Sequence, residues 1–176
     1  MGVSDFYAGF LHPLTAPGHL LAFIALGVLL GRHRASADAG LTSFIAALFV
    51  GGALALWLER VPGLDLLNAL SVLGLGALIA ADLPLPAGIC IALALLFGLS
   101  HGFAGGLAIA PPIRATPYLG GLAIAGLFVG GYGWVAAEYL LKRNVAWPRI
   151  ALRVTGAGLA AMGILVLAGS WRQLFG

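Results

Sequence analysis

Charge is what this sequence has least of. Only 9% of its 176 residues are Asp, Glu, Lys or Arg, whereas 61% are hydrophobic. Soluble domains carry roughly 25% charged residues, so a water-facing surface cannot be assembled from this chain. Cysteine is nearly absent as well: Cys90 alone excludes an internal disulfide and a cysteine metal cluster. No basic segment precedes the first apolar stretch, and a cleavable signal peptide is not expected. The glycines of 102–106 lie inside an apolar run with no lysine after them, which excludes a phosphate loop. The net charge is +3, but the basic residues sit in short clusters between apolar runs. That is the pattern of cytoplasmic loops rather than of a nucleic-acid surface, so nucleic acid is excluded as a partner.

What the chain has instead is apolar length. Six stretches qualify as spans: 13–31, 41–58, 66–81, 87–109, 118–137 (extended to 141) and 154–169. Each approaches the ~20 residues needed to cross a ~30 Å hydrocarbon core. The expected fold is an all-α polytopic bundle of about six transmembrane helices, a single transmembrane domain over 1–176 with the lipid bilayer as its surroundings. The separators are short, so consecutive helices are expected to be antiparallel neighbours. The 27 glycines suit close helix packing, and Gly27/Gly31, Gly102/Gly106 and Gly126/Gly130 have the spacing for it. Association into a homo-oligomer or a larger membrane complex remains open.

Orientation follows from the basic residues. Arg32, Arg34, Lys142, Arg143, Arg149 and Arg153 fall on one side, with only Arg60, Arg114 and Arg172 on the other. The positive-inside bias places the first group in the cytoplasm and both termini outside. Trp57, Tyr118 and Trp171 on the outer side, and Tyr139 and Trp147 on the inner side, are expected to form interfacial belts.

Ionisable residues inside a span are costly, which makes them functional candidates. His19 in the first stretch and His101 in the fourth qualify. At 1.5 Å per residue they lie roughly 9 Å and 13 Å from the outer ends of their helices, comparable depths that would let them face each other. Asp65 opens the third stretch, and Ser71 lies six residues deeper. His12, seven residues before His19, stands roughly 10 Å from it on a straight helix. One metal with ~2 Å bonds cannot hold both at that separation. Pro13 and Pro17 can break the helix there and fold residues 12–16 inward, so the pair makes either one site or two stations. Plainer roles compete for each residue. A bundle histidine can simply join helices, Asp65 suits a helix N-terminus, His33 is a loop residue, and Glu59 and Glu138 lie near span ends. Ser71, Ser100 and Asn68, with Glu59 and Glu138, are candidates for a pathway or a supporting shell.

These residues resemble the HupE/UreJ membrane proteins, a family associated with hydrogenase and urease gene clusters and regarded as nickel or cobalt permeases. Its first-helix signature, His-Pro then Gly-x-Asp-His then Leu-Ala, is similar to 12–22, His-Pro-Leu-Thr-Ala-Pro-Gly-His-Leu-Leu-Ala. A family Glu followed six residues later by Ser corresponds to Asp65 and Ser71. The fourth-helix pattern Phe-x-x-x-His-Gly-His-Ala-His-Gly corresponds to 97–106. Gly18 stands for the signature aspartate, and Phe103 and Gly105 for two histidines. The resemblance implies a metal site of His12, His19, Asp65 and His101 in the bacterial inner membrane, less charged than the family's own.

The leading expectation is therefore a permease for nickel, cobalt or zinc, the ion being cargo rather than a resident cofactor, since imidazole and carboxylate suit borderline divalent ions. Glu138 and Asp82 near the cytoplasmic end are candidate relays. A channel for a neutral solute such as ammonia, urea or carbon dioxide is the alternative, and a non-transporting subunit or assembly factor a third. An enzyme is not expected, because nothing marks a base poised beside a metal. The topology is checked by a reporter fused to the C-terminus. Activity outside the cytoplasm is expected, and a reporter active only within it would reject six spans with both ends out.

Overall fold

The computed structural model describes residues 2–58, 61–143 and 145–175, the last six of these as backbone only, so Glu59 lies outside the described residues. Seven helices follow one another: α1 (Gly2–Thr15), α2 (Pro17–Arg32), α3 (Ala37–Leu54), α4 (Leu64–Ala81), α5 (Ala87–Leu107), α6 (Ala115–Leu141) and α7 (Trp147–Phe175). A single 3-10 turn, Arg34–Ser36, joins α2 to α3. Among the described residues five helices, α3 to α7, are long and apolar enough to cross a membrane, and the pair α1–α2, bent by 79°, meets the same test only when the two are taken together. The protein is an all-α polytopic membrane bundle. Its last span begins at Trp147, a full turn and more before the expected residue 154, because Arg149 and Arg153 are accommodated at a helix end. Long basic side chains there can reach the interface while their stems stay apolar.

The first stretch differs most from expectation. The N-terminal segment, polar and short in sequence, is a helix in its own right. Asp5 in its first turn complements the helix dipole, and it pairs with Arg114 at 3.2 Å. Residues 12–15 are not irregular: Pro13 stays inside α1, and the break is confined to Ala16, whose backbone is extended (φ −102°, ψ 101°). The cause is Pro17, since its ring disfavours the helical conformation of the residue before it while suiting the first position of the next helix.

Consecutive helices are also not the main neighbours. The broadest interfaces join α3 to α5, α4 to α7, α2 to α6 and α1 to α6. Glycines set their registers. A Cβ at Gly102 would strike the Leu48 carbonyl, and one at Gly106 the Gly52 carbonyl; at Gly27 and Gly31 it would strike the carbonyls of Gly130 and Trp134. The constant offset along each pair shows that α3/α5 and α2/α6 run parallel. Parallel neighbours must be separated by an intervening span, so short loops cannot make them consecutive. Gly76, Gly156 and Gly163 bring α4 and α7 together with the opposite, antiparallel progression.

The core between these interfaces is apolar and centred on Phe23, Phe44, Leu26, Leu29, Leu48 and Leu75. Tyr118 is buried rather than interfacial, because Gly9 and Gly121 let α1 lie directly on α6 above it. Trp57, Tyr139 and Trp147 are exposed, as belt residues must be.

The packing predicts a sharp contrast among glycines. Gly102→Leu and Gly27→Leu force a side chain into a backbone carbonyl and should cost at least the ~1–3 kcal/mol of core overpacking. Gly158, with no neighbour within 4 Å, should accept leucine without loss. Thermal unfolding in detergent measures this, and wild-type stability in Gly102→Leu would overturn the parallel α3–α5 contact.

Candidate functional site: a row of three histidines

The kink at Ala16 decides where the first two histidines go. His12 in the last turn of α1 and His19 in the first turn of α2 would be stacked a helix-length apart on a straight rod. With the axes 79° apart, their ring centroids stand 5.2 Å from each other. From α5, His101 meets His19 with ring centroids 4.9 Å apart and Nδ1 to Nδ1 at 2.8 Å. On its other side, His101 Nε2 lies 2.8 Å from Ser71 Oγ of α4. The comparable depths of His19 and His101 thus correspond to direct contact.

The direction of this chain can be worked out from its far end. Ser71 Oγ is 2.6 Å from the Asn68 carbonyl oxygen, which can only accept, so the hydroxyl proton is committed there. Ser71 must then accept from His101, placing the single proton of a neutral His101 ring on Nε2. His101 Nδ1 becomes the acceptor, and His19 donates to it from Nδ1. The lone pair of His19 is left on Nε2. Three polar atoms in the same region are buried without a protein partner: His12 Nε2, Tyr118 Oη and Asn68 Oδ1. The His12 and Tyr118 rings are neighbours, with centroids 6.0 Å apart.

The result is an asymmetric row. His12 Nε2 and His19 Nε2 are the nitrogens with capacity for a ligand. Both nitrogens of His101, by contrast, are engaged. A histidine that donates its second N–H to a fixed acceptor is the usual support for a metal-binding imidazole, and here His101, Ser71 and the Asn68 carbonyl provide that support to His19. Among the described residues, no three His, Cys, Asp or Glu side chains converge on one metal-sized point.

The remaining candidates lie elsewhere. Asp65 is exposed and borders a hollow of about 200 Å³ with Leu64, Ala104, Leu107 and Ala108. Six residues of helix put it roughly 9 Å above Ser71. Ser100 is buried but bonds back to the Phe97 carbonyl of its own helix at 3.2 Å. Glu138 sits at the opposite end, bound to Arg34 and Lys142 at 3.0 Å each and accepting from Trp134 Nε1 at 2.9 Å. Asp82 pairs with Arg32 at that same end. His33, assigned to a loop from the sequence, caps α2: Nε2 accepts from the Leu85 amide at 3.0 Å and Nδ1 is 2.9 Å from the Leu29 carbonyl.

Two residues at the row were not among the site candidates of the sequence, Tyr118 having been assigned to the interfacial belt. Tyr118 resembles any interfacial tyrosine until α1 is seen to cover it; the glycines at 9 and 121 were the available signal. Phe23, four residues below His19, stands edge-on to His19, His101 and Phe44, with centroids 6.2, 5.8 and 5.0 Å away. It places an aromatic floor between the histidines and the basic end of the bundle.

A polytopic membrane bundle with this histidine row, buried at His101, is the class the fold and site define. The family model of the HupE / UreJ protein matches residues 1–166, and the chain belongs to that family. It is similar to Protein HupE of Rhizobium leguminosarum bv. viciae, 26% identical over 163 residues that cover 92% of this chain and 84% of that protein. No solved structure matches the chain.

The chain of donors predicts that Ser71→Ala, which strands the His101 N–H, should destabilise the protein by about 0.6–2 kcal/mol. Ser100→Ala should cost less, since only a bond within its own helix is lost. Equal effects on the unfolding midpoint would show that Ser71 does not support His101.

Proposed function

We propose that the protein is a permease for a divalent transition metal, nickel or a similar ion, which it binds as cargo between His12 and His19. The observation that carries this reading is the buried, unpartnered His12 Nε2 beside a His19 ring whose tautomer leaves Nε2 open. Two neutral imidazoles with centroids 5.2 Å apart suit a borderline divalent ion at bond lengths of ~2.0–2.1 Å, with water completing its coordination. A site with only two protein nitrogens holds its ion loosely, which favours release over storage. His101 acts as a positioning residue through His19 rather than as a ligand. Asp65, at the surface above the row, supplies a negative charge on the approach and is not part of the nitrogen pair. Phe23 and Phe44 close the interior below, and an apolar constriction of this kind can gate by excluding water. No metal passes in this conformation without their rearrangement. The proposed setting is the bacterial inner membrane with the histidine row toward the outside.

One observation favours a second reading. Among the described residues no carboxylate joins two of the histidines in a metal-sized group, and a neutral solute such as ammonia would meet hydrogen-bonding stations along the row. Metal uptake separates the two. In cells expressing the protein, His12→Ala and His19→Ala should abolish accumulation of nickel, cobalt and zinc, with protein abundance preserved. His101→Ala should weaken it by the ~10–100-fold typical of losing a supporting partner. Unchanged accumulation of all three metals in both ligand variants would reject the permease reading.

A further inference from the structure

The opposite end of the bundle carries a second set of polar groups, away from the histidine row. Arg32, Arg149 and Arg153 share one corner where α2, α4 and α7 meet. Arg149 and Arg153 are near enough to Arg32 to act on its charge. Among the described residues Asp82 is the carboxylate paired within this corner, and its partner is Arg32, which also donates to the Ile79 carbonyl. Arg153 donates Nε to the Ala80 carbonyl at 3.0 Å, fixing the guanidinium while its terminal nitrogens remain available. Arg149 is exposed and makes no hydrogen bond or ion pair among the described residues. Three cations against one anion leave the corner positive.

The surrounding surface has two compartments on successive turns of α7. One hollow, of about 350 Å³, is lined by Arg32, His33, Asp82, Leu83, Pro84 and Arg149. The next, of about 330 Å³, is apolar apart from Arg153 and is lined by Ala80, Ile150, Val154 and Ala157. Ile150 and Val154 are 61% and 66% exposed, so this groove faces whatever surrounds the bundle. A polar basic hollow one helical turn from an apolar groove, at the end of a membrane span, matches the two-part chemistry of one kind of ligand. A free phosphate would use only the first compartment.

We propose that this corner is a binding site for an anionic phospholipid. Its phosphodiester is held by Arg149 and the terminal nitrogens of Arg153, and an acyl chain lies along Ile150, Val154 and Ala157. Basic pockets between spans are a recurring mode of headgroup recognition. Occupancy would also tether α7 to α4 across the Arg153–Ala80 bond, at the basic end of the interface set by Gly76, Gly156 and Gly163.

The test is lipid retention by the full chain, read by native mass spectrometry after reconstitution in mixed phosphatidylglycerol and phosphatidylcholine bilayers. Wild type should retain phosphatidylglycerol in preference to phosphatidylcholine. The double variant Arg149→Gln/Arg153→Gln should lose roughly thirtyfold of that preference, about fivefold for each arginine near the surface. Val154→Trp, which fills the groove without changing charge, should lower retention of both lipids. Arg143→Gln, at the same end but engaged with Tyr139, should leave the preference intact. An undiminished preference in the double variant overturns the site, as does an equal loss in Arg143→Gln, which would indicate general surface charge. Displacement of the lipid by millimolar inorganic phosphate would overturn the acyl-groove assignment.

Discussion

In a bilayer, helices gain nothing by hiding apolar surface from the solvent, because the surrounding lipid is equally apolar. Cohesion has to come from close contact, and in this bundle that contact is between backbones. Gly102 and Gly106 on α5 rest against the carbonyls of Leu48 and Gly52, and Gly27 and Gly31 on α2 against those of Gly130 and Trp134. Every other feature of the interior follows from that approach. With α5 pressed against α3, and α2 against α6, His101 and His19 are carried to the same point. A bundle spaced by leucines would hold them apart.

The histidine row depends equally on an angle. The proline at 17 excludes a helical Ala16, and the resulting turn converts a sequence separation of seven residues into adjacent rings. Ion pairing between Asp5 and Arg114, together with Gly9 and Gly121, holds α1 in the folded position over Tyr118. The polarity of the row is imposed from the other side, by the Asn68 carbonyl acting through Ser71 and His101. Helix packing and hydrogen-bond direction together distinguish the imidazoles that keep an open nitrogen from the one that orients its neighbour. The two ends of the bundle therefore differ in kind: one holds neutral imidazoles and unpartnered polar atoms, while the other is fastened by the ion pairs of Arg32, Arg34, Asp82, Glu138 and Lys142.

Membership of the HupE / UreJ family goes with this scaffold, and three positions that the sequence resemblance pairs with ligands hold other residues here. Gly18 stands directly before His19 and contributes no carboxylate, and its nearest neighbour is Val166, 3.9 Å from an added Cβ. Phe103 and Gly105 leave His101 as the sole imidazole on α5, with Gly105 instead accommodating Leu122.

Hydropathy by itself determined that the chain is an all-α membrane bundle of five or six spans and which histidines lie in its apolar stretches. That information is local: a run of apolar residues long enough to cross a bilayer has one way to satisfy its backbone. The kink was half legible, since two prolines marked the region but not which of them would act. Neighbours were not legible at all. Loop length suggested consecutive pairs, whereas the glycine faces pair α3 with α5 and α2 with α6, and a chain of 27 glycines does not announce which ones will meet a carbonyl. Only the tertiary structure decided that Asp65 stands apart from the histidines, that Tyr118 is inside and that His101 has both nitrogens engaged. Those outcomes depend on which helix faces touch, a long-range property that no window of sequence contains.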